Sequence, residues 1–230
     1  MKVDTYYFKA RLFPTVITSI PLFVFVTQVL NPLYGESLKT VYDILPMLTS
    51  LGIYAGIVFL SVQINRFVSK EIFQGFFFKE DINMPTTNYL LWSNVFFAVD
   101  IKRAIKEKIL SSFNITLLNP VEEQQDDLRA RSLIVHAVSQ IKNKLRGNAV
   151  LFQHNIEYGF VRNLIGGSLI AILFSIATII YAIIYGDGTL RNTGIILLII
   201  YSLPIIFSKM LITKYGRYYA KVLYEQFMSL

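Results

Sequence analysis

The chain of 230 residues has no cysteine and only two histidines, His136 and His154. Without cysteine there is no disulfide, thiolate metal site, iron–sulfur cluster or cysteine nucleophile. The two imidazoles lie 18 residues apart, so neither a structural zinc nor an intramembrane metalloprotease centre is expected. Charge is scarce too: 16% of residues are Asp, Glu, Lys or Arg, against about 25% in a typical soluble domain. Too few charges remain to cover a water-facing surface. A glycine-rich phosphate loop, a nucleophile elbow and an HExxH pair are also missing. No catalytic residue, metal or cofactor is expected, and the chain does not read as an enzyme.

What the chain does have is apolar. Hydrophobic residues make up 54%, with 18 Phe and 14 Tyr, and the mean hydropathy is +0.51. Four stretches carry no charge: 24 residues between Arg11 and Glu36, 22 between Asp43 and Arg66, 24 between Arg162 and Asp187, and 17 between Arg191 and Lys209. A spanning helix needs about 20 mostly apolar residues, so spans are expected near 12–30, 44–64, 164–185 and 194–211. The first is read as a retained helix rather than a leader, because Pro14 and Pro21 interrupt it and no small-residue cleavage pattern follows. Pro14 suits a first helical turn, and Pro21 should kink the helix or leave a carbonyl free. The short connections 31–43 and 186–193 hold one basic residue each, Lys39 and Arg191, while all others flank or separate the hairpins. By the positive-inside rule both termini and the middle are expected to be cytoplasmic.

The expected fold is therefore all-α: an integral membrane protein with four transmembrane helices as two hairpins around a helical cytoplasmic insertion. Its parts are a first hairpin 1–64, an insertion 65–163, a second hairpin 164–211 and a cytoplasmic C-terminal helix 212–230. In the insertion, Asp100 is placed to cap a helix to about Phe113, with Ile101, Ala104, Ile105 and Ile109 on one side. Asn119-Pro120 followed by Glu122 and Glu123 predicts a second start, running to about Arg146 and stopping at Gly147. Its apolar stripe would be Leu128, Ile134, Val135, Val138, Ile141 and Leu145. Residues 149–163 should form a helix feeding into the third span. The last span should continue to the C-terminus with a stripe of Leu211, Tyr215, Tyr218, Val222 and Phe227.

The four charge-free stretches hold no Asp, Glu, Lys, Arg or His, which speaks against a proton pump or ion-coupled carrier. Neutral hydroxyls recur (Thr15, Thr18, Ser19, Ser175, Thr178, Ser202) and either line an aqueous path or bond back to their own helix. Gly52-x-x-x-Gly56, and Gly167, Ala171 and Ser175, mark close-packing faces. Four thin helices cannot enclose a wide path, so a pore requires several copies in a ring. Lys102, Arg103 and Lys106 share one helical face, and Arg131, Lys142 and Arg146 another. Arg131 lies inside an apolar stripe and reads in two ways: an ion pair with Asp100, Glu107, Asp126 or Asp127, or a phosphate contact. Glu122, Glu123, Asp126 and Asp127 read as first-turn acids rather than metal ligands. Lys209, Lys214 and Arg217 cluster after the last span, as membrane anchors or as a positive ring at a pore mouth that favours anions.

Two strings are distinctive. After the second span comes Met84-Pro85-Thr86-Thr87-Asn88-Tyr89-Leu90-Leu91-Trp92, where Pro85 breaks the helix and Thr86 or Thr87 is placed to cap the next. Before the third comes Asn155-Ile156-Glu157-Tyr158-Gly159-Phe160-Val161-Arg162-Asn163-Leu164-Ile165-Gly166. Together they resemble a family of bacterial four-helix membrane proteins with a Pro-Thr-Thr-x-x-Leu-Leu segment and a Glu-Asn-x-x-Tyr-Gly-Phe-Arg-Arg-Asn-x-x-Gly segment. Here His154 stands for the Glu and Val161 for the first Arg. The family looks similar to nucleotide-controlled membrane effectors of anti-phage defence, of the Hailong or cyclic-oligonucleotide type.

The resemblance implies a homo-oligomeric channel or pore, a tetramer, gated by a nucleotide or short oligonucleotide messenger from a nucleotidyltransferase. No long nucleic-acid duplex is expected as a partner; membrane lipid is. Candidate messenger contacts are Arg103, Arg131, Lys142, Arg146 and Arg162, with Trp92 and Tyr158 available to stack bases or to anchor at the interface. Pro85, Thr86, Thr87, Asn155, Gly159 and Asn163 are candidate gate residues. The rival reading is a non-conducting scaffold or sensor subunit that recruits a partner through the insertion.

Overall fold

The computed structural model describes residues 5–44, 52–78 and 81–230, and no strand occurs among them. The main helices are α1 (Tyr7–Glu36), α2 (Gly52–Val68), α3 (Val99–Phe113), α4 (Asp127–Lys144), α5 (Ala149–Tyr185), α6 (Gly188–Ile206) and α7 (Ser208–Met228). Three of them, α1, α5 and α6, are long and apolar enough to cross a membrane. The expected second span, 44–64, lies partly outside the described residues; from Gly52 onward it belongs to the 17-residue α2. The chain divides into two compact units, Met1–Phe73 with Gly159–Ser208, and Gln74–Tyr158 with Lys209–Leu230.

In the first unit, the helical backbone does not stop at the expected 31–43 connection but continues through Asn31–Ile44. Pro14 does not open the helix either. Helical backbone begins before it, at Tyr7–Leu12, as a π-type turn, which is one way a helix accommodates a residue without an N–H. An α-helical N–H would bond the carbonyl four residues back, so Pro14 cannot serve Ala10 O and Pro21 cannot serve Ile17 O. Side chains from elsewhere in the unit reach both carbonyls. Asn163 Nδ2 of α5 donates to Ala10 O at 2.6 Å, and the Tyr201 hydroxyl of α6 donates to Ile17 O.

The helices approach closely where glycine permits. A Cβ on Gly166 would lie 2.8 Å from Ser69 Cα, and one on Gly167 would lie 2.7 Å from Asn65 Nδ2. Asn65 Nδ2 in turn donates to Thr15 Oγ1 at 2.9 Å. This seam ties α1, α2 and α5 through small residues and side-chain hydrogen bonds, the usual means of helix association in lipid. The hydroxyls mostly bond one turn back: Thr18 to Pro14 O, Ser175 to Ala171 O, Thr178 to Phe174 O and Ser202 to Leu198 O. At Gly56, by contrast, a Cβ would meet nothing within 4 Å among the described residues. Large apolar side chains face outward along the unit, Ile184 at 72% and Ile206 at 69% exposure among them, as suits hydrocarbon rather than water.

The second unit has its own apolar core. Ile105 and Ile109 of α3, Ile134, Val138 and Ile141 of α4, and Leu223, Tyr224 and Phe227 of α7 pack together. The C-terminal helix thus shares a core with the central residues. Its buried stripe is Ile212, Gly216, Ala220, Leu223, Tyr224 and Phe227; Tyr218, expected inside, is 47% exposed. α6 and α7 are not one helix, since the backbone breaks at Phe207, three residues after Pro204.

Capping in this unit follows the sequence closely at one helix and departs from it at two. Asn119 accepts from the backbone N–H of Val121 and Glu122, and Glu122 accepts in turn from the Asn119 N–H, with Pro120 in the first position. That helix, however, ends at Gln125. Asp126 turns out of helical geometry (φ −143°, ψ 78°) and caps α4 by accepting from Arg129 N, so Leu128 sits in a first turn and is exposed. Ala98, not Asp100, precedes α3; Ile101 and Ala104 face outward, and Lys102 takes the inward place beside Ile105. Gly147 ends the following turn at φ +94°, as its position predicted, and Gly186 at φ +73° closes the turn from α5 to α6.

Candidate ligand site

The Pro-Thr-Thr string folds as a short helical turn, Pro85–Asn88, entered from extended backbone at Met84. Proline fits its first position because that N–H has no helical partner. Neither Thr86 nor Thr87 caps a helix. Thr87 Oγ1 donates back to Asp81 O at 2.7 Å, and Thr86 O accepts from the Tyr224 hydroxyl of α7. Burial raises the Tyr224 phenol well above its ordinary value, so it stays a donor. Gly216 of α7 faces Pro85.

Arg131 holds this turn to α4. Its Nε meets Asp127 Oδ2 at 2.7 Å, and Nη1 donates to Asn88 Oδ1 at 2.6 Å, Asn83 Oδ1 at 3.2 Å and Ile82 O at 3.3 Å. Of its two sequence readings, the geometry displays the ion pair, with Asp127. The planar fork is used on four protein acceptors at once.

Trp92 is similarly engaged. Its indole N–H donates to Leu118 O at 2.9 Å, and the Lys106 ammonium lies 3.9 Å from the ring centroid. Glu123, 4% exposed, accepts from Trp92 N and Ser93 N. Lys102, 1% exposed, donates to Trp92 O and Asn94 O. Burial lowers Lys106 to about 8, Glu123 pulling it up and Lys102 pushing it further down. Lys102 and Lys106 therefore point inward as polar fasteners of the 92–94 segment. Arg103 points away and pairs with Asp100 at 3.2 Å on the surface.

The remaining predicted contacts are dispersed. Arg146 is exposed and reaches Asn143 Oδ1 at 3.5 Å. Lys209, Lys214 and Arg217 lie on the exposed side of α7, while Tyr158 is buried and Asn155 and Arg162 are half-buried on α5. Gly159 packs against Tyr6 and Ala10, so Gly159, Asn163 and Gly166 of the second string all serve helix contacts within the first unit. Among the described residues no group of three or more acids or histidines could hold a metal.

What the structure does bring together is Lys142 with Thr86 and Thr87. They line a cavity of about 210 Å³ with Asp81, Val135, Val138 and Ser139. Burial lowers the Lys142 ammonium, and the Asp81 carboxylate opposes that shift. Asp81 and Ser139 were not singled out in the sequence. Ser139 and Lys142 are three apart on a helix and thus neighbours, which the spacing could have shown; Asp81 enters only through the turn that Arg131 holds. A second cavity, of about 160 Å³, lies in the first unit against Thr15, Thr18, Asn65 and Gly167. No family model, curated protein or solved structure matches the chain.

Proposed function

We propose that the protein is a homo-oligomeric membrane channel, gated by a nucleotide or short oligonucleotide messenger bound on its helical second unit. In this reading four helices cross a bacterial inner membrane, both termini and residues 74–158 are cytoplasmic, and several copies, four by preference, surround an anion-permeable path. The role is that of an effector in anti-phage defence, controlled by a partner nucleotidyltransferase.

The observation that carries the proposal is α5. It runs unbroken over 37 residues, about 55 Å at 1.5 Å per residue, against about 30 Å of hydrocarbon. Its first turns help build the core of the second unit through Leu151, and it is the most apolar of the three helices long enough to span a membrane among the described residues. A single helix that contributes residues to both units is suited to carry a conformational change. Moving a channel from 1% to 99% open takes about 5.5 kcal/mol of differential binding. A few charge-assisted phosphate contacts in each of several subunits supply that.

Ion flux from liposomes holding the purified protein, with and without candidate oligonucleotides, tests the reading. A messenger-dependent change in chloride flux is expected, lost when Arg103, Lys142 and Arg146 are neutralised together. Messenger binding without any flux would replace the channel by the non-conducting sensor.

A further inference from the structure

We propose that the cavity between residues 81–87 and α4 is a binding site for one phosphorylated sugar, the nucleoside monophosphate unit of a nucleotide, with Lys142 receiving the phosphate. The inference rests on the messenger reading above and gives it a location and a ligand class.

Lys142 is the first reason. Its ammonium is half-buried, yet among the described residues it has no hydrogen bond and no ion pair; Tyr219 lies 6.0 Å away, ring centroid to Nζ. Elsewhere in this unit the inward lysines are satisfied, Lys102 by two carbonyls and Lys106 by a carbonyl and an indole ring. The Asp81 carboxylate is near enough to act on this cation but closes no ion pair with it, so the ammonium keeps donors for an incoming anion. Hydroxyls of Thr86 and Ser139 stand in the same lining, adding donors for phosphate oxygens.

Asp81 sets the class. Its carboxylate repels a ligand that is anionic all round and accepts from one carrying hydroxyls beside its charge, as a ribose does. One ammonium matches one phosphate, whereas a triphosphate would bring surplus charge against Asp81. Val135 and Val138 provide an apolar floor. A volume of about 210 Å³ falls below the ~300–1,000 Å³ of pockets that enclose drug-sized ligands, so a single sugar phosphate fits and a whole oligonucleotide would extend outside. The rim is held in place by the Arg131 fork and by the Thr87–Asp81 bond, so little ordering is left for the ligand to drive.

The test is calorimetry on the full-length protein in phosphatidylcholine nanodiscs, where no anionic lipid competes. Probes are adenosine monophosphate, adenosine and inorganic phosphate. Adenosine monophosphate should bind, and adenosine at least about tenfold more weakly. Lys142→Met should weaken the nucleotide about tenfold or more, with Lys142→Arg retaining most of the affinity. Asp81→Asn should weaken the nucleotide but not inorganic phosphate, and the affinity retained by Lys142→Arg guards against a folding artefact in the methionine variant. The site is overturned if adenosine binds as tightly as its monophosphate, if no probe binds, or if Lys142→Met binds the nucleotide unchanged. Because calorimetry reads binding alone, the two proposals fail separately. Nucleotide binding without flux sinks the channel and leaves the site; messenger-dependent flux that survives Lys142→Met sinks the site and leaves the channel.

Discussion

Arg131 illustrates how one side chain can look functional and be structural. A guanidinium in an apolar stripe is rare enough to draw attention, and phosphate is a natural partner for it. Its four acceptors, however, all come from the protein, and its side chain is 19% exposed. Arg131→Met should cost about 2 kcal/mol, the scale of a lost charge-assisted hydrogen bond. Arg131→Lys should fall between, because an ammonium cannot span Asp127 and Asn88 with the same fork. Thermal unfolding of the detergent-solubilised protein measures both, and equal melting for all three would dismiss the clamp. Lys106 makes a pH prediction. Folded, it releases its proton near pH 8; unfolded, near the ordinary 10.5. Between those values the unfolded chain holds a proton the folded chain lacks, so stability rises with pH there. Lys102 and Lys142 shift the same way, while Tyr89 and Tyr224, raised by burial, oppose it only above about 10. The second unit should therefore gain stability from pH 8 to 10, and Lys106→Met should flatten that rise. A slope of opposite sign, indifferent to the substitution, would refute it.

At the scale of the element, Pro14 and Pro21 of α1 are more informative than the apolar residues around them. Each withdraws an N–H from its own helix, and in each case a polar side chain of another helix donates to the carbonyl concerned, Asn163 to Ala10 and Tyr201 to Ile17. Hydrogen bonds between membrane helices are worth about 0.6 kcal/mol on average and up to about 1.7. Tyr201→Phe should cost that much in a Pro21 background. In Pro21→Ala, where the helix regains its own donor, the same change should cost less, and the double-mutant cycle measures the difference. Additive costs would mean that the proline and the tyrosine are unrelated. Legibility at this scale was uneven. Asn119-Pro120-Val121-Glu122 is a local code, read within four residues, and it folds as spelled. The inward face of α7 is not local: it depends on where α3 and α4 stand, and the buried stripe lies rotated from the one suggested by hydropathy alone. Lys102 shows the same limit, since only the carbonyls of Trp92 and Asn94 make an inward lysine acceptable.

At the scale of the molecule, the absence of cysteine is useful. A single introduced cysteine is the sole thiol in the chain, so maleimide labelling reports one site at a time. Arg146→Cys and Ser229→Cys should label from one side of a sealed membrane and Thr189→Cys, in the first turn of α6, from the other. All three positions are exposed in the fold. Labelling of position 189 from the same side as 146 would overturn the arrangement of spans, and with it the cytoplasmic site for a messenger. The division into two units gives that experiment its meaning, because the central and C-terminal residues share one core and must lie on one side together.

Composition and charge spacing, by themselves, determined that this chain is helical, largely apolar and without thiols, because burial and backbone satisfaction in hydrocarbon leave few other solutions. Local caps and stops such as Asn119 and Gly147 were equally contained in a few neighbouring residues. Which polar groups are committed to the fold and which stay available was decided only in three dimensions. Arg131 and Trp92 are engaged, and Lys142 is left facing a cavity, through partners that lie far from them in sequence, and no spacing rule encodes a partner brought near by packing.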